Sequence, residues 1–179
     1  MKTNSKSIGN NFEREFSKQL SLWASNGLND DLFWRDNSSG ARFTTRKKQN
    51  KDTIIKGDIV AIDLKYKPFT DLFFLDTKSY KSFNPFIINE NNIKSNLIFK
   101  QWLKVLSDCP NTMIPIMVCH IRDRVTPDFI VVKNNTKLAY RQIIEYSILF
   151  NIERYEFKII LLDDFFKNNN WEELIKWNS

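Results

Sequence analysis

Apolar residues first recur at helical spacing in Phe12, Phe16, Leu20 and Trp23. Such a stripe predicts an amphipathic helix, capped by Asn10 or Asn11 and running to about Ala24. Ser25 to Asp31 reads as a loop, with Gly27 close to the helix end. Leu32 to Arg35 is a short apolar run of strand type. Two further runs, Gly57 to Ile62 and Leu72 to Lys78, read as strands joined by a polar turn that contains Pro68. Ile93, Leu97, Ile98, Trp102, Val105 and Leu106 supply the broad apolar face of a second helix, which Asp108-Cys109-Pro110-Asn111 ends. Ile114 to His120 and Asp128 to Lys133 are strands separated by Arg122-Asp123-Arg124. Leu138 to Phe150 has a helical look, Phe157 to Leu162 is a last strong strand, and Trp171, Leu174 and Ile175 mark a helical tail. The order helix, three strands, helix, strand, then additions describes a mixed α/β domain. One domain is expected over residues 1–179, with its core at about 9–120 and additions at about 121–179.

Composition changes this picture in one respect. Hydrophobic residues make up 42% and charged ones 27%, which is ordinary for a folded globular chain. The formal charge of +6 favours nucleic acid or another anionic surface as partner. Most of the excess lies between Arg42 and Lys56, where Arg42, Arg46, Lys47, Lys48, Lys51 and Lys56 face only Asp52. That stretch admits two readings, a solvated loop or an arm lying along phosphates. Cys109 and Cys119 lack metal-ligand spacing and read as reduced core residues. No apolar run approaches the roughly 20 residues of a membrane span, and Met1 to Asn10 lacks the apolar core of a signal peptide. The expected location is the cytoplasm.

Candidate chemistry centres on acidic residues at chosen points of the two central strands. The period of two puts Asp76 and Lys78 on one face of their strand and Thr77 on the other. A carboxylate and an ammonium at the rim of a buried sheet suit a divalent cation beside a water to be activated. Three triplets of the form acid-x-Lys compete for this role. Asp63-Leu64-Lys65 begins five residues after Asp58 and runs into the turn, with no room to return beside it. Glu156-Phe157-Lys158 opens a late strand with no Gly-Asp strand before it. Asp76-Thr77-Lys78 ends an apolar strand that follows an acidic one through a short connection, so Asp58, Asp76 and Lys78 are taken as the site. At about 100° per residue, Glu13 lies roughly 60° from the centre of the first helix's apolar stripe and Glu15 roughly 100°. Glu13 therefore sits at the edge of the buried face; alone it reads more readily as a solvated surface acid.

These residues resemble the PD-(D/E)xK nuclease superfamily, with Asp58 as its first motif acid, Asp76 as its second and Lys78 as its lysine. The closest resemblance is to archaeal-type Holliday-junction resolvases and their phage relatives. Gly9-x-x-x-Glu13-Arg14-Glu15, Arg35-x-x-x-Ser39-Gly40, Gly57-Asp58-Ile59 and Leu75-Asp76-Thr77-Lys78-Ser79 stand in the order of the resolvase motifs, over residues 9 to 81. Gly57 replaces the name-giving proline, Asp76 the more frequent Glu, and the interval from Ser39 to Asp58 is long and basic.

The resemblance implies a restriction-endonuclease-like α/β core of helix, three-stranded meander, helix and strand, with C-terminal strand and helix additions to a mixed sheet. It implies Mg²⁺-dependent hydrolysis of DNA phosphodiesters, Mn²⁺ substituting, by a homodimer that cuts branched DNA. Asp58, Asp76 and the backbone carbonyl of Thr77 would hold the metal, with Glu13 completing or orienting its shell. Lys78 would activate a water or stabilise charge on the phosphate. Ser39 would hydrogen-bond a phosphate or simply form a turn beside Gly40. Arg35, Arg42, Arg46, Lys47, Lys48, Lys51 and Lys81 are the expected DNA contacts. The alternatives are a restriction-type or replication-associated endonuclease, and a non-catalytic DNA-binding protein of the same fold. His120, the single histidine, has no partners for a zinc site and reads as structural. Neither a nucleophile elbow nor a Gly-rich phosphate loop is present.

Overall fold

The predicted stripe is buried along α1 (Ser5–Ala24) in a computed structural model that describes residues 5–36, 57–82, 95–123, 125–141, 143–150 and 153–179. Ser39, Gly40 and the basic residues Arg42, Arg46, Lys47, Lys48, Lys51 and Lys56 lie outside the described residues, as does Ile93. Phe12, Phe16 and Leu20 of α1 are each almost wholly removed from water, and each such burial stabilises the fold by about 1.5–3 kcal/mol. Gly27, at φ 84°, ends the helix by donating its amide to the Leu22 carbonyl at 2.6 Å, a left-handed close that favours glycine.

After α1 come β1 (Phe33–Arg35) and β2 (Ile59–Ala61), paired antiparallel as a two-stranded sheet. α2 (Lys67–Leu72) leads directly into β3 (Phe73–Tyr80), which is followed by α3 (Leu97–Asp108) and β4 (Ile114–Ile121). β5 (Phe129–Lys133), β6 (Ile143–Phe150) and β7 (Glu153–Leu161) complete the strands, and α4 (Leu162–Asn168) and α5 (Trp171–Asn178) form the tail. The larger sheet has the order β3-β4-β5-β7-β6. β3 and β4 run parallel, with α3 on the crossover between them, and the other pairs are antiparallel. Alternation along these strands makes two cores. Leu75, Ile116, Val118, Ile130 and Ile160 pack toward α1, while Phe74, Met117, Phe129, Val131 and Ile159 pack with Ile98 and Trp102 of α3.

Four predicted features differ. α1 begins at Ser5, so Asn10 and Asn11, expected to cap it, lie within the helix. The connection expected to be a polar turn is a 3-10 turn, Leu64–Tyr66, followed by α2. Pro68 stands in the first turn of that helix, where its missing N–H leaves no bond unmade. The three-stranded meander is not one continuous ladder. β1 and β2 form their own sheet, and the chain before β2 reaches β3 by the Asp58 amide donating to the Leu75 carbonyl at 2.7 Å. Finally, the helix predicted over Leu138 to Phe150 is strand β6 from Ile143 onward, paired with β7 from Ile143 opposite Ile160 to Phe150 opposite Glu153. A continuous apolar run satisfies both periods. Here β-branched residues and a neighbouring strand's unpaired edge decide for the sheet.

The tail is tied back by polar side chains inside the fold. Asn169 accepts the Ala139 amide at 2.8 Å and donates to the Ala139 and Phe165 carbonyls, both at 2.8 Å. The Trp23 indole of α1 donates to the Asn169 carbonyl at 3.0 Å.

Gly57 fixes how close β2 comes to β3. A Cβ at this position would stand 2.3 Å from the Leu75 carbonyl oxygen and 2.6 Å from its nitrogen. Both are backbone atoms of β3, which its ladder with β4 holds in place, so they cannot swing aside. Gly57→Ala is therefore expected to lower stability by about 1–3 kcal/mol, seen as a lower melting temperature. An unchanged melting temperature would show that the two backbones separate without loss.

Candidate active site

β3 is the edge strand of the larger sheet, and its open side is met by the segment that leads into β2. In a strand, the N–H and C=O of one residue point the same way. The Thr77 amide donates to Asp58 Oδ2 at 2.8 Å, so the Thr77 carbonyl also looks toward Asp58. Thr77 contributes its side chain as well, Oγ1 donating to the same Oδ2 at 3.2 Å. Two donors on one oxygen lock the carboxylate and leave Oδ1 without a protein hydrogen bond among the described residues. The expectation that the Thr77 side chain would face away from the site is thus corrected. It does leave the face of Asp76 and Lys78, but Asp58 sits beyond the strand edge, where both faces are reached.

Asp76 and Lys78 project from the other face of β3 and pair with each other, the ammonium also donating to the Thr77 carbonyl at 3.3 Å. Burial pushes the Asp76 carboxyl up to about 6; the Asp58 carboxylate adds to the rise and the Lys78 ammonium opposes it. For Lys78 burial works against the charge, yet Asp76 and Asp58 more than offset it and hold the ammonium above the usual lysine range. The two carboxylates thus favour the charged form of Lys78.

Glu13 reaches the same place from α1. Its carboxylate lies 2.8 Å from Arg35 Nε, and both side chains are largely buried. Burial and then the Asp58 carboxylate raise its carboxyl above the usual range, while Arg35 and Lys78 pull it back. Glu15 is exposed, as expected. The register of Glu13 against Arg35 depends on Ser21, a buried hydroxyl that accepts the Leu32 and Phe33 amides at 3.1 and 3.0 Å and donates to the Ser17 carbonyl at 2.7 Å. Nothing in the apolar pattern marks Ser21, because its role is to satisfy the first amides of β1.

The structure thus gathers Glu13, Arg35, Asp58, Asp76, Thr77 and Lys78, and leaves Lys81 exposed just past β3. Among the described residues, no group of three or more His, Cys, Asp or Glu side chains is arranged to hold a metal ion. The donors that fit one are fewer: Asp58 through its uncommitted Oδ1, Asp76, and the Thr77 carbonyl. All are hard oxygens, and two carboxylates plus water and phosphate oxygens is the set that Mg²⁺ takes.

The competing triplets have other work. Asp63 caps the 3-10 turn by accepting the Lys65 amide at 2.8 Å, and Lys65 lies over the Tyr66 and Trp171 rings. Lys158 is buried and donates to the Thr136 carbonyl at 2.8 Å, its ammonium 5.0 Å from the centre of the Tyr140 ring. His120 pairs with Asp128 at 2.8 Å and stacks on Phe12 with ring centres 4.9 Å apart, which is the packing role expected of it. Cys109 and Cys119 are free thiols, and burial raises both, Cys109 to about 11 and the enclosed Cys119 well above its ordinary value.

Among known protein families, residues 4–176 match the one described as "Phage putative PDDEXK endonuclease". No curated protein and no solved structure matches the chain.

Thr77→Val keeps shape and loses the hydroxyl, so it is expected to weaken divalent-metal affinity several-fold by loosening Asp58, while Thr77→Ser restores it; calorimetric titration with Mg²⁺ measures both. Equal affinities for wild type and Thr77→Val would leave the hydroxyl without a role. A ligand carboxylate must be ionised to bind, so with Asp76 near 6 the wild-type affinity is expected to fall about tenfold from pH 8 to pH 5. A flat profile in the same titration would remove Asp76 from the metal set.

Proposed function

Because the chain belongs to this family of phage PDDEXK endonucleases, we propose that it is a Mg²⁺-dependent endonuclease of branched DNA, Mn²⁺ substituting, with Holliday-junction resolution as its reaction. Asp58 locked against Thr77 beside the Asp76–Lys78 pair is the observation that carries the reading. The ordered motifs from Gly9 to Ser79 support the resolvase branch.

A bound Mg²⁺ would supply positive charge to the phosphate oxygens and lower the pKa of a neighbouring water. Asp58 and Asp76 would hold it with the Thr77 carbonyl. The residues of the chain do the rest. Lys78, kept as an ammonium by two carboxylates, stabilises the extra negative charge that develops on the attacked phosphate. Arg35 neutralises Glu13, so that only part of the acidic cluster's charge faces the incoming strand. Glu13 orients a water at the inner side of the cleft. Among the described residues no further strand lies on the edge of β3 beyond the β2 segment, which leaves room for a DNA backbone.

Asp36 and Asp58, which flank residues 37–57 in sequence, are joined by the Asp36 amide donating to the Asp58 carbonyl at 2.6 Å. The chain that carries Arg42, Arg46, Lys47, Lys48 and Lys51, itself outside the described residues, leaves and re-enters them at this bond. This supports the reading of an arm on phosphates. Ser39 falls in the same segment. Resolution needs two coordinated cuts, so the active form is a homodimer, and the setting is the cytoplasm of a prokaryotic host.

A cleavage panel of four-way, three-way, flap and linear DNA, with and without Mg²⁺, tests the proposal. Cleavage of the four-way junction is expected only with metal, and Asp58→Ala, Asp76→Ala and Lys78→Ala are each expected to abolish it with unchanged circular dichroism. Full cleavage by Asp76→Ala would sink the site. Sequence-specific cutting of linear duplex would move the protein to the restriction type, and tight binding without cleavage would make it a DNA-binding protein of the same fold.

A further inference from the structure

The β1–β2 ribbon has one face turned into the protein and one turned out. Phe33 and Ile59 are buried on the inner face. Trp34 is on the outer one, directly across from Val60, and 43% of its surface is exposed. Among the described residues its indole makes no ring contact, hydrogen bond or ion pair. The same alternation continues toward the site, with Gly57 buried, Asp58 half-buried, Ile59 buried and Val60 half-buried. Asp58 and Val60 thus share the outer face with Trp34, and two residues along a strand span about 6.6 Å.

An exposed tryptophan is not by itself informative. Its position is, given the function proposed above, on which this inference rests. Whatever strand brings a phosphate to Asp58 along this ribbon passes over Trp34. A flat, unpartnered indole there can take a nucleobase face to face, as aromatic platforms of single-strand binders do. Bases inside a duplex are stacked on their neighbours and not available, while those at a branch or flap can be unstacked at small cost. The chain's charge of +6 and its match to a family of endonucleases favour an anionic strand over an apolar protein surface here.

We infer that Trp34 is a stacking platform for an unpaired base next to the scissile phosphate, and so a determinant of branch selectivity.

The test compares the full chain with Trp34→Ala and Trp34→Phe on three DNAs: a flap with an intact base at the unpaired position beside the cut, the same flap with an abasic sugar there, and a linear duplex. Binding is read by fluorescence anisotropy and cutting by single-turnover rates with Mg²⁺. In the wild type the abasic sugar is expected to weaken binding about tenfold. Trp34→Ala should weaken the intact flap by the same factor, without adding to the abasic loss, and leave the duplex unchanged. Trp34→Phe should keep most of the affinity. Equal losses on all three DNAs would overturn the inference. So would a wild-type dimer that Trp34→Ala converts to monomer in sedimentation, since the indole would then be covered by a second copy. A wild type that cuts DNA with Trp34→Ala unchanged overturns the platform alone. A wild type that neither binds nor cuts any of the three overturns the nuclease reading with it.

Discussion

Two backbones in contact, at Gly57 and Leu75, set the geometry on which the site depends. There is no space for a side chain between them, and the approach lets the Asp58 amide bond to the Leu75 carbonyl. From that anchor the Asp58 carboxylate falls opposite the Thr77 amide and hydroxyl. The superfamily's proline position is here a glycine, and the reason is local: any larger residue would push the first motif acid away from the second. The same close approach ends the pairing of β2 with β3 almost as soon as it starts. Among the described residues β3 is left as an edge of the larger sheet, the kind of rim that folds usually cover or charge.

The charges at that rim would be a poor way to stabilise a protein. Burial and, less strongly, the Asp58 carboxylate raise the Asp76 carboxyl to about 6, and its attraction to Lys78 does not cancel that rise. Buried pairs of this kind are weak evidence for stability and better evidence for a role. A cation among the oxygens would relieve the repulsion between Asp58 and Asp76 and release Lys78 to face a phosphate. Arg35 already performs part of this for Glu13, which explains why that acid tolerates its half-buried place.

The distant half of the chain makes this arrangement rigid. β5 and β7 lie in the interior of the sheet, on the far side of β4 from the strand β3 that carries Asp76, Thr77 and Lys78. Phe165, Trp171 and Leu174 of the tail close the core beneath α1, and Asn169 ties that tail to Trp23 and Ala139. His120 holds Phe12 from below, one residue before Glu13. A helix fixed at Phe12, Ser21 and Trp23 cannot rotate, and Glu13 keeps its direction.

The sequence by itself determined the order of elements through β5 except for the 3-10 turn and α2 before β3, because apolar periodicity reports which face of a segment is dry. Chain connectivity favoured Asp58, Asp76 and Lys78 over two other acid-x-Lys triplets, whose Asp63 caps a turn and whose Lys158 makes a buried carbonyl contact. Only the tertiary structure decided β6, since an apolar run satisfies either period until a neighbouring strand offers hydrogen bonds. Tertiary structure also decided the role of Ser21, the Glu13–Arg35 pair and the second contact of Thr77 with Asp58. Each joins residues far apart in the chain through a few polar atoms. Distances between such atoms are set by packing and leave no periodic trace in the sequence.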